Sequence, residues 1–120
     1  MKKNILIVDD EQFLINSMQR DLRQYNDKYE VYVTTKSRDT LKLIKQLKID
    51  LLIIDIIMPE KEGLEIIREV KSEFPSVKLI AMTGGPVSNL EFAKLLGADY
   101  SLNKPFSQDE LVLATNSALQ

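Results

Sequence analysis

Leu51-Leu52-Ile53-Ile54-Asp55 decides the fold. Four apolar residues run without a break and end at an acid. A strand open to water on one face alternates apolar with polar residues. This run does not alternate, so it reads as a strand buried on both faces of a parallel sheet. The same signature stands upstream, where Ile5-Leu6-Ile7-Val8 ends at Asp9-Asp10-Glu11. Two continuously apolar strands, each ending in carboxylates, fix the centre of an α/β sheet, and the rest of the chain arranges itself around them.

Between the two lies a helical stretch with Leu14, Met18, Leu22 and Tyr25 spaced for one face. A half-polar, β-rich run, Tyr29-Glu30-Val31-Tyr32-Val33-Thr34, follows and suits a sheet edge. Leu41, Ile44 and Leu47 mark a second helix. Beyond Asp55, Leu64, Ile67, Val70 and Phe74 mark a third, stopped by Pro75. Val77 to Met82 forms the fourth strand. Gly84-Gly85-Pro86 turns the chain into a helix through Leu90, Ala93 and Leu96, closed by Gly97. Tyr100 to Asn103 is a short fifth strand. Ser107 and Glu110 make a capping-box pattern at the head of the last helix. Five strand-helix pairs without repeats or linkers predict one doubly wound domain over residues 1–120, with five parallel strands and five helices. Right-handed crossovers, buried strands one and three and an edge strand two give the order 2-1-3-4-5, a flavodoxin-like α/β fold.

Composition narrows the chemistry. The chain has 120 residues and a formal net charge of −2, with no His and no Cys. Histidine-based catalysis, thiolate metal sites and disulfides are thereby excluded. No basic stripe suggests nucleic-acid binding. The apolar run near the start is too short for a signal peptide, and no segment could span a bilayer, so the expected location is the cytoplasm.

In doubly wound sheets ligands bind beyond the carboxyl ends of the strands. The polar residues at those ends are Asp9-Asp10, Asp55, Thr83 and Asn103-Lys104. Each has a bland reading alone: Asp9 or Asp10 as a helix cap, Asp55 as a turn former, Thr83 as a strand residue, Lys104 as a solvated charge. Together they put three carboxylates, a hydroxyl and an ammonium at one crevice. Crowded carboxylates repel, and a hard divalent cation such as Mg²⁺ relieves the repulsion while leaving room for phosphate oxygens. A carboxylate can also attack phosphorus to form an aspartyl phosphate. Phosphoryl transfer needs positioning and neutralisation of the equatorial oxygens, which a cation, the Lys104 ammonium and the Thr83 hydroxyl can supply.

The segments Ile5-Leu6-Ile7-Val8-Asp9-Asp10-Glu11, Leu51 to Asp55 with Met58-Pro59 and Gly63, Thr83-Gly84, Gly97-Ala98-Asp99 and Lys104-Pro105-Phe106 resemble the receiver domain of two-component response regulators. The match covers essentially the whole chain. It implies that Asp55 is the phosphoacceptor, charged by a sensor histidine kinase or a histidine phosphotransfer protein. It implies that Mg²⁺, with Mn²⁺ able to substitute, is held by Asp10, Asp55 and the Ile57 backbone carbonyl, with Asp9 assisting. Thr83 would carry the switch, Lys104 would pair with the phosphoryl oxygens, and the surface of helix four, strand five and helix five would change. The output would be a downstream protein target or an effector domain absent from this chain, so the chain is either a stand-alone receiver or part of a longer regulator. The last helix lacks the basic residues of receivers that dimerise by salt bridges on this face, which favours a monomer or weak dimer.

Three departures from the family pattern stand out. Ser101 occupies the place of the usual aromatic, with Tyr100 one residue earlier and so on the opposite strand face. Glu62 replaces the commoner Asp before Gly63. The connection from Thr83 to Lys104 is about one residue short. Ile57 and Gly85 flank the site without a group to orient water, which predicts slow self-dephosphorylation. Two competing readings use similar residues: a haloacid-dehalogenase-like phosphohydrolase, and a non-phosphorylated receiver-fold interaction module. The first places its nucleophile on strand one in an Asp-x-Asp pattern, unlike this chain. The second is expected to have lost the acids, the Thr or the Lys, all of which are present here. A flavin-binding flavodoxin would need phosphate donors where this chain is acidic.

Overall fold

The computed structural model describes residues 2–58 and 63–120. Pro59 and Glu62, singled out above, lie outside the described residues. The elements run in the order β1 (Lys3–Val8), α1 (Gln12–Tyr25), β2 (Tyr29–Thr34), α2 (Thr40–Leu47), β3 (Leu51–Asp55), α3 (Gly63–Glu73), β4 (Lys78–Thr83), α4 (Val87–Leu95), β5 (Tyr100–Asn103) and α5 (Gln108–Ala118). A single 3₁₀ turn, Ser37–Asp39, leads into α2. All strand pairs are parallel, and the sheet order is β2-β1-β3-β4-β5. This is the flavodoxin-like order expected from the sequence.

The unbroken apolar strands behave as their pattern demands. Alternation sends Leu6, Val8, Leu52 and Ile54 to the face covered by α2, α3 and α4. Ile5, Ile7, Leu51 and Ile53 go to the face covered by α1 and α5. Every residue of β3 is buried. A parallel strand in the middle of the sheet has two hydrophobic faces, which is why no polar residue interrupts it until Asp55.

The predicted boundaries hold to within one or two residues, with one correction in α1. Met18 and Leu22 are buried as expected, but Ile15 rather than Leu14 completes the face, and Tyr25 is about half exposed. At 100° per residue, Ile15, Met18 and Leu22 form the tighter stripe. Leu14 is shared between the core and the crevice at the top of the sheet, beside Lys104 and Phe106. The capping box at α5 is formed in both directions: Ser107 Oγ accepts from the Glu110 backbone N–H at 3.0 Å, and Glu110 Oε1 accepts from the Ser107 N–H at 3.2 Å. Among the described residues, no helix is long and apolar enough to cross a membrane.

The two ends of the sheet are built differently. At the amino ends of the strands, carboxylates serve structure. Asp50 accepts from the Asn4 N–H at 2.8 Å, and Asp99 accepts from the Leu79 N–H at 2.9 Å. The edge strand β2 is closed by α1, whose Gln19 and Arg23 side chains donate to the Val31 carbonyl at 2.7 and 3.1 Å. A covered edge resists pairing with other chains. At the carboxyl ends, the acids are left for the site.

Gly63 ties α3 to that end. Its N–H donates to the Ile56 carbonyl at 3.1 Å, and a methyl group in its place would overlap the Asp55 carbonyl oxygen and the Ile56 Cα. Both are main-chain atoms of the sheet, so the clash cannot be relieved by a rotamer change. Gly63→Ala is expected to lower unfolding stability by about 1–3 kcal/mol, the usual cost of overpacking. Gly84→Ala, whose added methyl would meet the Lys104 Cβ at an ordinary 3.6 Å, is expected to stay within ~0.5 kcal/mol of the parent. Urea unfolding of the two variants side by side measures the difference.

Candidate functional site

The parallel register brings four strand ends together. Val8 pairs with Ile54, Asp55 with Met82, and Thr83 with Asn103. The residues that follow in each chain segment therefore open on the same crevice. Asp9 is 0 % exposed and Asp55 6 % exposed, while Asp10 faces solvent. One carboxylate oxygen from each of Asp9, Asp10 and Asp55 lies within 4.8 Å of the other two.

Lys104 holds this group together. Its Nζ donates to Asp9 Oδ2 at 2.6 Å and to Asp55 Oδ2 at 3.0 Å. The ammonium reaches them because the Lys104 backbone N–H donates to the Thr83 carbonyl at 2.8 Å, which fixes the residue at the end of β5. The Lys104–Pro105 peptide bond that follows is cis. Short loops orient the acids as well. The Glu11 N–H donates to Asp9 Oδ1 at 2.9 Å, and the Ile57 N–H donates to Asp55 Oδ1 at 3.1 Å. Asp55 thus has one oxygen on a backbone donor and the other on an ammonium.

Electrostatics follow from burial. Burial pushes the Asp9 carboxyl above the usual carboxylate range, against the hydrogen bonds from Lys104 and the Glu11 backbone that pull it down; the Asp55 charge nearby adds to the rise. Burial also disfavours the Lys104 ammonium, but its hydrogen bonds to Asp9 and Asp55 outweigh it and hold the pKa above the usual lysine range. Lys104 is therefore a fixed positive charge.

Thr83 is buried at the end of β4, and its Oγ1 accepts from the Gly85 N–H at 2.9 Å, a bond that uses a lone pair and leaves the hydroxyl proton available to donate. Ile57 is 53 % exposed and reaches across toward Gly85: a methyl group on that glycine would sit 3.0 Å from Ile57 Cδ1. Asp9, Asp10, Asp55, Ile57, Thr83 and Lys104 are thus all found at one end of one sheet.

One residue of the site was not assigned a role from the sequence. Glu11 Oε1 accepts from Lys104 Nζ at 3.4 Å. Its signal was the third acid in the Asp9-Asp10-Glu11 run, which by itself does not distinguish a solvated helix start from a partner for Lys104.

The donor set suits a hard divalent cation. Three carboxylates offer only oxygen, one of them is exposed enough to exchange water, and a single ammonium does not balance them. The same residues can present a nucleophilic carboxylate, neutralise phosphoryl oxygens with an ammonium and donate a hydroxyl hydrogen bond.

The family model of the response regulator receiver domain matches residues 5–116. Response regulator SaeR of Staphylococcus epidermidis is 38% identical over 119 residues, covering 97% of this chain and 50% of that protein. SaeR of Staphylococcus aureus is 35% identical over 117 residues, with the same coverage of 97% and 50%. The chain thus spans about half the length of the curated relatives it matches. Among solved structures, a CheY-like response regulator receiver domain protein from Methanospirillum hungatei superposes with a TM-score of 0.91 at 29% identity, over 99% of this chain and 94% of that one. A response regulator receiver domain protein from Clostridium thermocellum gives 0.88 at 31% identity, over 98% and 94%. Receiver domains act as phosphorylation switches in two-component signalling, and response regulators are phosphorylated by histidine kinases. With its sheet order, its acidic strand ends and a family match over nearly its whole length, this chain belongs to the response regulator receiver domain family.

Proposed function

We propose that the protein is a cytoplasmic phosphorylation switch in which Asp55 accepts a phosphoryl group from a phosphohistidine on a sensor kinase or histidine phosphotransfer protein. The observation that carries this reading is the placement of Asp55. It is almost buried, yet its carboxylate meets a fixed ammonium at 3.0 Å and two further acids. An Asp Oδ attacks the phosphorus; the new P–O bond forms as the P–N bond breaks, and the electron pair leaves with the imidazole nitrogen, which takes a proton from water. Asp9, Asp10, Asp55 and the Ile57 carbonyl are the groups that would hold Mg²⁺ or Mn²⁺, which when bound supplies neutralisation of charge on the transferring oxygens.

Lys104 neutralises a phosphoryl oxygen, and Thr83 donates its hydroxyl hydrogen to another. Turning Thr83 toward the phosphoryl group frees the Gly85 N–H it now accepts from, which loosens the start of α4. The new bonds bias an existing equilibrium between two arrangements of this segment. The output face is the one made by α4, β5 and α5. Phe92 and Leu95 of α4, Tyr100 of β5 and Leu113 of α5 are exposed, and such apolar residues suit a protein target or an attached effector domain. We take the receiver itself as a monomer or weak dimer.

Two outcomes test the proposal. Incubation with acetyl phosphate and Mg²⁺ is expected to add one phosphate by intact-mass measurement, with no addition to Asp55→Asn and none when the divalent ion is chelated. Steady release of inorganic phosphate over many turnovers would instead favour a phosphohydrolase. The second outcome concerns lifetime. Ile57 and Gly85 offer no polar side chain to align an attacking water, so the phosphorylated form is expected to decay about tenfold more slowly than Ile57→Asn, below the roughly 10²–10⁴-fold of a group that also transfers the proton, because an amide only orients the water. Following loss of the phosphorylated mass with time measures it.

A further inference from the structure

Lys104 carries one carboxylate more than acceptor chemistry calls for. An ammonium has three N–H donors and no acceptor. Here all three are matched by acids: Asp9 Oδ2 at 2.6 Å, Asp55 Oδ2 at 3.0 Å and Glu11 Oε1 at 3.4 Å. A phosphoryl oxygen that binds Lys104 therefore competes with them, and the Glu11 contact at 3.4 Å is the longest of the three.

The three acids differ in what displacement costs. The Asp9 side chain is 0 % exposed, and Asp55 supplies the carboxylate oxygen that, on the proposed function, carries the phosphoryl group. The Glu11 side chain is 63 % exposed, so water replaces the lost bond at little cost. Its backbone is held in place while its carboxylate is open to water: the Glu11 N–H is on Asp9 Oδ1, and its carbonyl accepts from the Ile15 N–H at 3.2 Å. Glu11 is also the N-cap of α1, yet its side chain makes no capping bond to the helix. A carboxylate beside free helix N–H groups ordinarily turns to them. This one reaches the other way, into the recess lined by Leu14, Gly84, Lys104, Pro105 and Phe106.

We propose that Glu11 is a positioning residue that occupies the Lys104 N–H which a phosphoryl oxygen takes on phosphorylation. It keeps the ammonium fully bonded over the acids in the resting state and yields when the phosphoryl group arrives. The inference rests on Asp55 as phosphoacceptor and adds a competitor for its lysine.

Two substitutions separate occupation of the N–H from charge alone. Glu11→Ala removes both the charge and the contact. Glu11→Asp keeps the charge, but a side chain shorter by one methylene falls short of Lys104, and Asp at an N-cap bonds its own helix. The measurement is the second-order rate of phosphorylation by acetyl phosphate with Mg²⁺, read by intact mass, together with the Lys104 Nζ resonance before any donor is added. Both variants are expected to react about two- to fivefold faster than the parent, the scale of displacing one exposed ion pair. Both should also shift the resting Lys104 signal, with urea midpoints no lower than the parent's by more than the loss of one exposed ion pair, since Glu11 has no side-chain cap to lose. A faster Glu11→Ala with Glu11→Asp at the parental rate would assign the effect to charge and overturn the proposal. Rates unchanged or slower in both variants would overturn it too. Failure of the parent itself to take up phosphate would sink the acceptor reading, a separate result.

Discussion

The ion pairs between Lys104 and the buried acids Asp9 and Asp55 are the contact on which the site depends. Two carboxylates at the carboxyl end of a parallel sheet, one fully buried, are a destabilising arrangement by themselves. An ammonium at 2.6 and 3.0 Å makes it tolerable, and Asp9 still shows the strain of burial in its raised pKa. A fold selected for stability alone would put an apolar pair there, since a buried ion pair is often no better than a hydrophobic replacement of the same volume. The retained acids are therefore a mark of chemistry. Contrast the other end of the sheet, where Asp50 and Asp99 spend their oxygens on the backbone N–H groups of Asn4 and Leu79.

Topology supplies the rest. Parallel strands point their carboxyl ends the same way, and the order β2-β1-β3-β4-β5 sets β3 between β1 and β4. Residues 95 positions apart, Asp9 and Lys104, meet only because of that order. The apolar interior of each strand positions the polar residue that follows it, so packing and chemistry share one set of constraints.

Most of this was legible in the sequence, for a physical reason. A strand buried on both faces tolerates no polar residue inside, so the first polar residue after Ile7-Val8 or Ile53-Ile54 marks the strand end and points at the crevice. The fold, the order and the six named site positions follow from that rule and the resemblance. Finer features did not. Ile15 and Leu14 are adjacent and both apolar, and the choice between them depends on the roll of α1 against the sheet, which periodicity fixes only to within a residue. Glu11 received no role from the sequence because its partner is a lysine from the far end of the chain. Gly63 entered only through the resemblance, and its physical reason was hidden in the same way: it is set by the Asp55 and Ile56 backbone lying against it.

That contact at Gly63 gives the crevice a stiff wall and a compliant wall. On the α3 side, main chain abuts main chain, and a rigid-body shift of Asp55 would have to drag the whole helix with it. On the opposite side, Gly84 has ordinary room beside the Lys104 Cβ, and Gly85 lies against Ile57 Cδ1 and Thr83 Oγ1, side-chain atoms that can turn away. If Asp55 takes up a phosphoryl group as proposed, the main-chain wall would act as an anvil and the side-chain wall would give, sending displacement toward the helix that follows β4.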